Sequence, residues 1–227
     1  KLDFSKNVDA SFIHKNNLSK GLRQQYNLVT FIQEFARRNN LIWDVKPNSI
    51  LPGGKVIVTN QITDTMFNSL QVDCVEHEGE NYDILMLVPP SLVDDKGFKL
   101  LDAFKNFGVF LFDGTNKDRD EYSIDDRECR VYQYDSCRGL EGWTTICLCF
   151  DELIQYKKDT YIDDPETSFG LTPEARRHDY AYLWSLMPLS RPINTLVIHL
   201  KDKDSEVGKL LKQMSNDMND IVKWEVK

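Results

Sequence analysis

Residues 129–150 read CRVYQYDSCRGLEGWTTICLCF, and this stretch decides the fold. Its first six residues alternate in polarity and its last seven are apolar and β-branched, so both ends are typical of β-strands. The loop between them, residues 135–143, holds two glycines, a cation and a carboxylate. Because ligand-binding loops in open parallel sheets leave the carboxyl ends of strands, we expect a ligand at that edge. Gly139 would let backbone N–H groups approach an anion, and Glu141 would accept hydrogen bonds from sugar hydroxyls, although Arg-Gly-Leu-Glu also fits a plain turn.

The composition limits the classes of function. With 227 residues and 41% apolar residues, the chain suits one large or two small domains with a real core. A net charge of −8 argues against binding nucleic acid by bulk electrostatics, so any such contact would be local. The sequence has no apolar run of membrane-spanning length and no signal-peptide pattern at its start, and a first residue of Lys indicates a piece of something longer.

The cysteines and histidines predict neither a metal site nor disulfides. The five cysteines form no Cys-x-x-Cys pair and the four histidines are scattered, so we expect no bound zinc. An odd number of cysteines without a disulfide framework fits a reducing compartment, and we expect a cytoplasmic protein.

Strand and helix patterns alternate along the chain after a lead-in or linker at residues 1–17. Several strand patterns are apolar on both faces, as in strands that are buried between two helical layers. Residues 18–227 therefore predict one α/β domain with a mostly parallel sheet and helices on both faces. The predicted strands are 55–59, 83–88, 109–112, 129–134, 144–150, 193–200 and 221–226. The predicted helices are 25–38, 64–78 with Asp64 as N-cap, 97–106, 152–158, 172–187 ended by Pro188, and 205–214.

Two segments imitate ligand motifs without matching them. Gly53-Gly54-Lys55 is not a P-loop, because the motif needs an earlier glycine where Ser49 stands and a hydroxyl residue where Val56 stands. The acidic residues of 114–128 lack the fixed glycine and terminal glutamate of a calcium loop, so we interpret them as a solvated loop. The chain by itself should therefore not cradle a triphosphate in the way that a P-loop does.

Three segments in order resemble motifs of the second RecA-like domain of superfamily 1 helicases of the UvrD/Rep kind. Leu18-x-x-x-Leu22-Arg23-Gln24 and the helix after it resemble the Leu-x-x-Asn-Tyr-Arg-Ser motif. Arg138-Gly-Leu-Glu141 is similar to Lys-Gly-Leu-Glu, and Leu189-Ser-Arg-Pro192 is similar to Leu-Thr-Arg-Ala. The resemblance spans roughly residues 18–200 and identifies a compact, divergent C-terminal motor domain of a DNA helicase.

The resemblance implies a role for each motif. Arg23 and Arg191 would reach the γ-phosphate of ATP across an interdomain cleft, where a guanidinium meets the charge that spreads over the equatorial oxygens. Glu141 would bond the ribose, Gly139 would lie near the phosphates, and Arg138 and Ser136 would contact DNA, single-stranded or duplex. The Walker lysine and the Mg²⁺ ligands would lie on an absent N-terminal RecA-like domain.

The chain departs from the family at all three motifs, and at the third Pro192 follows Ser-Arg and Pro188 interrupts the approach. Asp135 stands where the family usually has a DNA-contacting histidine, and Gly21-Leu22 replaces Asn-Tyr. There is no room for the large subdomain that many members insert between these motifs. These departures and the acidic charge leave a non-catalytic RecA-like interaction module as the alternative, with an unrelated doubly wound domain as a third possibility. Surface ion pairs for the arginines and a helix-capping role for Glu141 also stay open.

Overall fold

A computed structural model describes residues 23–77, 83–106, 108–116, 129–163 and 170–227. The helices in these ranges are α1 (Tyr26–Arg38), α2 (Asp64–Glu76), α3 (Leu101–Asn106), α4 (Phe150–Asp159), α5 (Pro173–Leu189) and α6 (Glu206–Asp217). The strands are β1 (Lys55–Thr59), β2 (Ile84–Val88), β3 (Val93–Asp94), β4 (Gly97–Phe98), β5 (Leu111–Asp113), β6 (Cys129–Gln133), β7 (Gly142–Cys147), β8 (Pro192–His199) and β9 (Val222–Glu225).

Seven of these strands form one sheet in the order β5-β6-β2-β7-β8-β1-β9, and every neighbouring pair is parallel. The short strands β3 and β4 pair antiparallel to each other. All five residues of β2 are buried, as expected for a strand covered on both faces. The predicted α/β class, a mostly parallel sheet with helices on both faces, is confirmed.

Each face of the sheet has its own apolar core. The helices α1, α4, α5 and α6 cover one face, where Phe35 of α1 lies 5.9 Å from Tyr182 of α5 between ring centroids. The helices α2 and α3 cover the other face, where Phe67 and Phe104 meet edge to face at 6.0 Å. Packing α1 against α5 places the start of α1 beside the end of α5, which matters for the site below.

The segment 134–141 joins β6 to β7 without an α-helix, and its first three residues form a 3₁₀ turn. Because β6 and β7 are both parallel to β2, which lies between them, the segment runs back across the sheet, from the carboxyl end of β6 to the amino end of β7. Tyr134 and Cys137 are buried in the core on the α1 and α5 face, and the Tyr134 hydroxyl donates to the Leu148 carbonyl at 2.8 Å. Burial raises the pKa of the Cys137 thiol to about 11, so this cysteine is a neutral core residue.

Several element boundaries differ from the sequence-based predictions, among them those of α2, α3 and α5. Residues 97–98 form β4 instead of opening a helix, because Gly97 has a φ of +106° and the Phe98 N–H bonds the Asp113 carboxylate. The helix α5 ends at Leu189, with Pro188 inside its last turn. The N-cap of α2 is Thr63 and not Asp64, since the Thr63 hydroxyl accepts from the Met66 N–H at 3.2 Å.

The cap of α2 gives a test of this last correction. Thr63→Ala should lower the free energy of unfolding by about 1 kcal/mol, because the N–H of Met66 loses its acceptor. Asp64→Ala removes a charge near the helix dipole but leaves the acceptor of the Met66 N–H in place, so it should cost about 0.5 kcal/mol. Urea unfolding of the two variants checks the order, and a larger loss for Asp64→Ala would return the cap to Asp64.

Some predictions lie outside the described residues. These are the lead-in at 1–17, the first five residues of the first motif, most of the acidic loop 114–128, and part of the loop before α5. The domain boundary at residue 18 therefore stays a prediction.

Candidate functional site

Three segments distant in sequence meet at the amino edge of the sheet. Arg23 precedes α1, Glu141 directly precedes β7, and Arg191 directly precedes β8. The strands β7 and β8 are neighbours, and Gly142 pairs with Pro192 just before a one-residue shift of register, which brings the last two residues together. A hydrogen bond from the Gln25 N–H to the Ile193 carbonyl at 3.0 Å holds the start of α1 at the same edge.

Arg23 and Glu141 form an ion pair on the surface of this edge. The Nη1 group of Arg23 donates to Oε2 of Glu141, and its Nη2 group donates to the Ser190 carbonyl at 3.1 Å. The side chains retain 39% and 50% of their exposure, so solvent and solutes reach both charges. The pair thus presents a cation and an anion at one accessible point.

Arg191 lies beneath this pair and is half-buried. Its Nε donates to the Met187 carbonyl at 3.0 Å, its Nη1 to the Leu140 carbonyl at 3.2 Å, and its Nη2 to the Ser190 hydroxyl at 2.9 Å. Burial lowers the pKa of the guanidinium from its ordinary value, and the nearby positive charge of Arg23 lowers it further. The Arg191 side chain is therefore fixed in place by the chain around it.

The carboxyl end of α5 is what gathers these cations. The last carbonyls of a helix lack helical partners and carry the negative end of its dipole, so they favour cations and amide donors. Arg191 bonds the Met187 carbonyl, the buried Gln24 side chain bonds the Leu189 carbonyl at 3.2 Å, and Arg23 bonds the Ser190 carbonyl. The charge of Arg23 opposes the dipole of α1, whose positive end lies beside it. The same charge is favourable at the negative, carboxyl end of α5, where Arg23 bonds the Ser190 carbonyl.

Two positioning residues escaped the sequence analysis. Arg130 of β6 donates from Nη2 to the Glu141 backbone carbonyl at 2.7 Å and holds that residue in place. Gln24 stands next to Arg23 in the first motif, but its partner is 165 residues away. Residues whose partners are this distant in sequence leave no periodic or spacing pattern that would predict the contact. Only its position in the first motif could have pointed to Gln24.

The other three site residues predicted in the central loop are exposed. Ser136, Arg138 and Gly139 all face solvent. Gly139 has a φ of +84°, and a Cβ there would meet no atom within 4 Å, so the backbone conformation and not crowding favours glycine. The loop thus offers an accessible backbone beside the Arg23–Glu141 pair.

Asp135, at the position where the related motif has histidine, forms an ion pair within the chain. Its carboxylate pairs with the Lys157 ammonium of α4 at 2.5 Å. The Lys157 side chain is only 6% exposed, and its ammonium lies 4.1 Å from the Trp184 ring centroid. Asp135 therefore anchors the beginning of the crossing segment.

The edge predicted for the site was wrong. The sequence analysis placed the loop at the carboxyl edge because it leaves β6 there. The segment crosses the sheet before it reaches Glu141, so the three charged residues lie at the amino edge. The reason is the parallel direction of the strands: a residue directly before a parallel strand lies at the amino edge of the sheet, and the predicted parallel sheet already implied this position for Glu141.

Within the described ranges, no group of three or more His, Cys, Asp or Glu side chains is arranged to hold a metal ion. No helix of that part of the chain is long and apolar enough to cross a membrane. All five cysteines lie in the described ranges, where they are buried and form no disulfide.

The comparisons with known proteins find likenesses in structure but no match in sequence. No family model and no curated protein matches the chain. A crystal structure described as the C-terminal domain of a possible DNA helicase from Lactobacillus plantarum WCFS1 is similar over 90% of this chain and 99% of its own, with 11% identity and a TM-score of 0.45.

Proposed function

We propose that the chain is the C-terminal RecA-like domain of an ATP-dependent DNA helicase or translocase. It would supply Arg23 and Arg191 as catalytic residues and Glu141 as a ribose ligand to an ATP site shared with an N-terminal RecA-like domain. That domain would bring the Walker lysine and Mg²⁺. The observation that carries the proposal is the meeting of two guanidinium groups and one carboxylate, from three separate segments, at one accessible edge.

The chemistry of phosphoryl transfer suits this arrangement. Charge spreads over the three equatorial oxygens of the transferred group, and a guanidinium offers directed donors to such oxygens. Among the described contacts, three of the five N–H donors of Arg191 are used within the chain, which leaves two for an incoming phosphate. The fixed orientation of Arg191 lowers the entropy that would be lost on binding.

Glu141 gives a test that separates ribose binding from general charge. In the full-length protein, ATP should be preferred over 2′,3′-dideoxy-ATP by about tenfold in KM, as expected for a hydroxyl bonded to a carboxylate. Glu141→Gln should remove most of this preference with little change in kcat. Steady-state ATPase assays in the presence of DNA measure both values, and a preference that the variant retains would remove Glu141 from the ribose site.

The chain alone should not hydrolyse ATP, because the phosphate cradle and the Mg²⁺ ligands would lie on the other domain. Hydrolysis by the chain of residues 1–227, with and without DNA, measures this directly. Turnover by the isolated chain would contradict a shared site.

The geometry also offers one observation in favour of a non-catalytic interaction module. Asp135 is paired with Lys157 where a DNA contact would be expected. A full-length protein without a Walker lysine upstream of Lys1 would favour this alternative, and an intact P-loop there would end it.

A further inference from the structure

We infer that the Arg23–Glu141 ion pair is an autoinhibitory latch in which the Glu141 carboxylate occupies the place of the nucleotide's phosphate. This inference rests on the function proposed above, because it concerns the same site. It adds that, in the free domain, the Glu141 carboxylate blocks the phosphate-binding position at Arg23, and that a polyphosphate binds by displacing this carboxylate.

The first step of the argument is the chemistry of the pair. Arg23 presents its Nη1 donor to a carboxylate oxygen, which is the same class of acceptor as a phosphate oxygen. Both side chains remain well exposed, so the pair is reached by solutes without any movement of the core. An exposed pair of this kind is worth about 0.2–1 kcal/mol, which is small enough for a multivalent anion to break.

The second step is that only one side chain has to move. Arg23 keeps a second anchor when Glu141 leaves, since its Nη2 donates to the Ser190 carbonyl. The backbone of Glu141 is also held, because Arg130 bonds its carbonyl and the rigid strand β7 follows directly. Opening the latch therefore amounts to a rotation of the Glu141 side chain about a fixed backbone.

The third step concerns charge. With the latch closed, the Glu141 carboxylate cancels one of the two positive charges of Arg23 and Arg191. With the latch open, both guanidinium groups face the incoming anion, and the Glu141 carboxylate is released to accept hydrogen bonds from the neutral hydroxyls of a sugar. One residue would thus hold the empty site closed and bind the ribose of the occupied one.

The test compares two ligands on the chain of residues 1–227. Tripolyphosphate has the phosphates of ATP but no ribose, and its binding is followed by NMR shifts of the Gly139 and Ser190 amides. Glu141→Gln should tighten tripolyphosphate binding by about 1.5- to 5-fold, which is the range that corresponds to an exposed ion pair. ATP should gain less from the substitution, because the variant also loses the ribose contact.

Two variants control the experiment. Glu174→Gln makes the same change in net charge at the exposed opposite end of α5 and should leave tripolyphosphate binding unchanged. Arg23→Ala should weaken the binding of both ligands. Tripolyphosphate binding that Arg23→Ala weakens but Glu141→Gln does not tighten would overturn the latch and leave the proposed function standing. Tripolyphosphate binding that Arg23→Ala leaves unchanged would overturn the latch and would also count against the proposed site. If neither the parent chain nor Glu141→Gln binds tripolyphosphate, the latch is overturned as well.

Discussion

Replacing Arg191 with alanine should lower kcat for DNA-stimulated ATP hydrolysis by about 10³ or more in the full-length protein, with ATP binding largely retained. The proposed reason is that Arg191 would stabilise charge that develops only in the transition state, so its removal acts on kcat and not on KM. Single-turnover hydrolysis and equilibrium binding of a labelled nucleotide separate these two quantities.

Arg191 also has a structural role that the experiment must control. Its Nε and Nη1 groups join the end of α5 to the residue before Glu141, so the variant loses contacts as well as a charge. Arg191→Lys keeps the charge but lacks the planar fork, and it should restore little activity. Arg177→Ala removes an exposed arginine near the beginning of α5 and should leave turnover unchanged. Unchanged turnover in a folded Arg191→Ala protein would remove the catalytic assignment.

The sequence was sufficient for the elements that obey a simple burial pattern. The strand 84–88 is apolar at every position, and α1 repeats its apolar residues at helical spacing, so both were predicted within two residues of their bounds. The order of the three motifs also pointed to Arg23, Glu141 and Arg191, which the structure brings together. Their roles toward a nucleotide stay a prediction.

The parts that the sequence could not give depend on strand order and on distant partners. Local pattern places β6 and β7 next to each other along the chain, but β2 lies between them in the sheet. Glu141 lies at the amino edge because it directly precedes a parallel strand, which the predicted parallel sheet already implied. The partners of Gln24 and Arg130 are fixed by the same tertiary arrangement, and no spacing rule relates Gln24 to Leu189.

Lys157 shows the same limit for a buried charge. A lysine in the last turn of α4 complements the helix dipole and is usually solvated, so the sequence gives no reason to expect it inside. It is buried because α4 packs against α5, whose Trp184 covers the ammonium, and because Asp135 reaches it from the crossing segment. A single ion pair thereby ties the segment that carries the proposed site to two helices.

Asp135→Ala should accordingly lower the free energy of unfolding by about 2–3 kcal/mol. Removing one partner of a buried ion pair leaves the other charge uncompensated, which costs about 3–5 kcal/mol when both partners are fully buried. The Asp135 side chain is 48% exposed, so water can partly solvate the change, and we expect a smaller loss than that range. Urea unfolding, followed by far-UV circular dichroism, measures the difference.

The double variant Asp135→Ala with Lys157→Met decides whether the buried charge is the cause. Methionine has a similar length and no charge, so it should recover most of the stability that Asp135→Ala loses, giving a coupling energy of about 1–3 kcal/mol between the two positions. Lys209→Met, at an exposed position of α6, is the matched control and should recover nothing when combined with Asp135→Ala. Additive losses at positions 135 and 157 would show that Asp135 stabilises the segment in some other way. Although it lacks the ion pair, the double variant should keep the Arg23-dependent binding of tripolyphosphate, because Tyr134 and Cys137 would still pack the segment against the core.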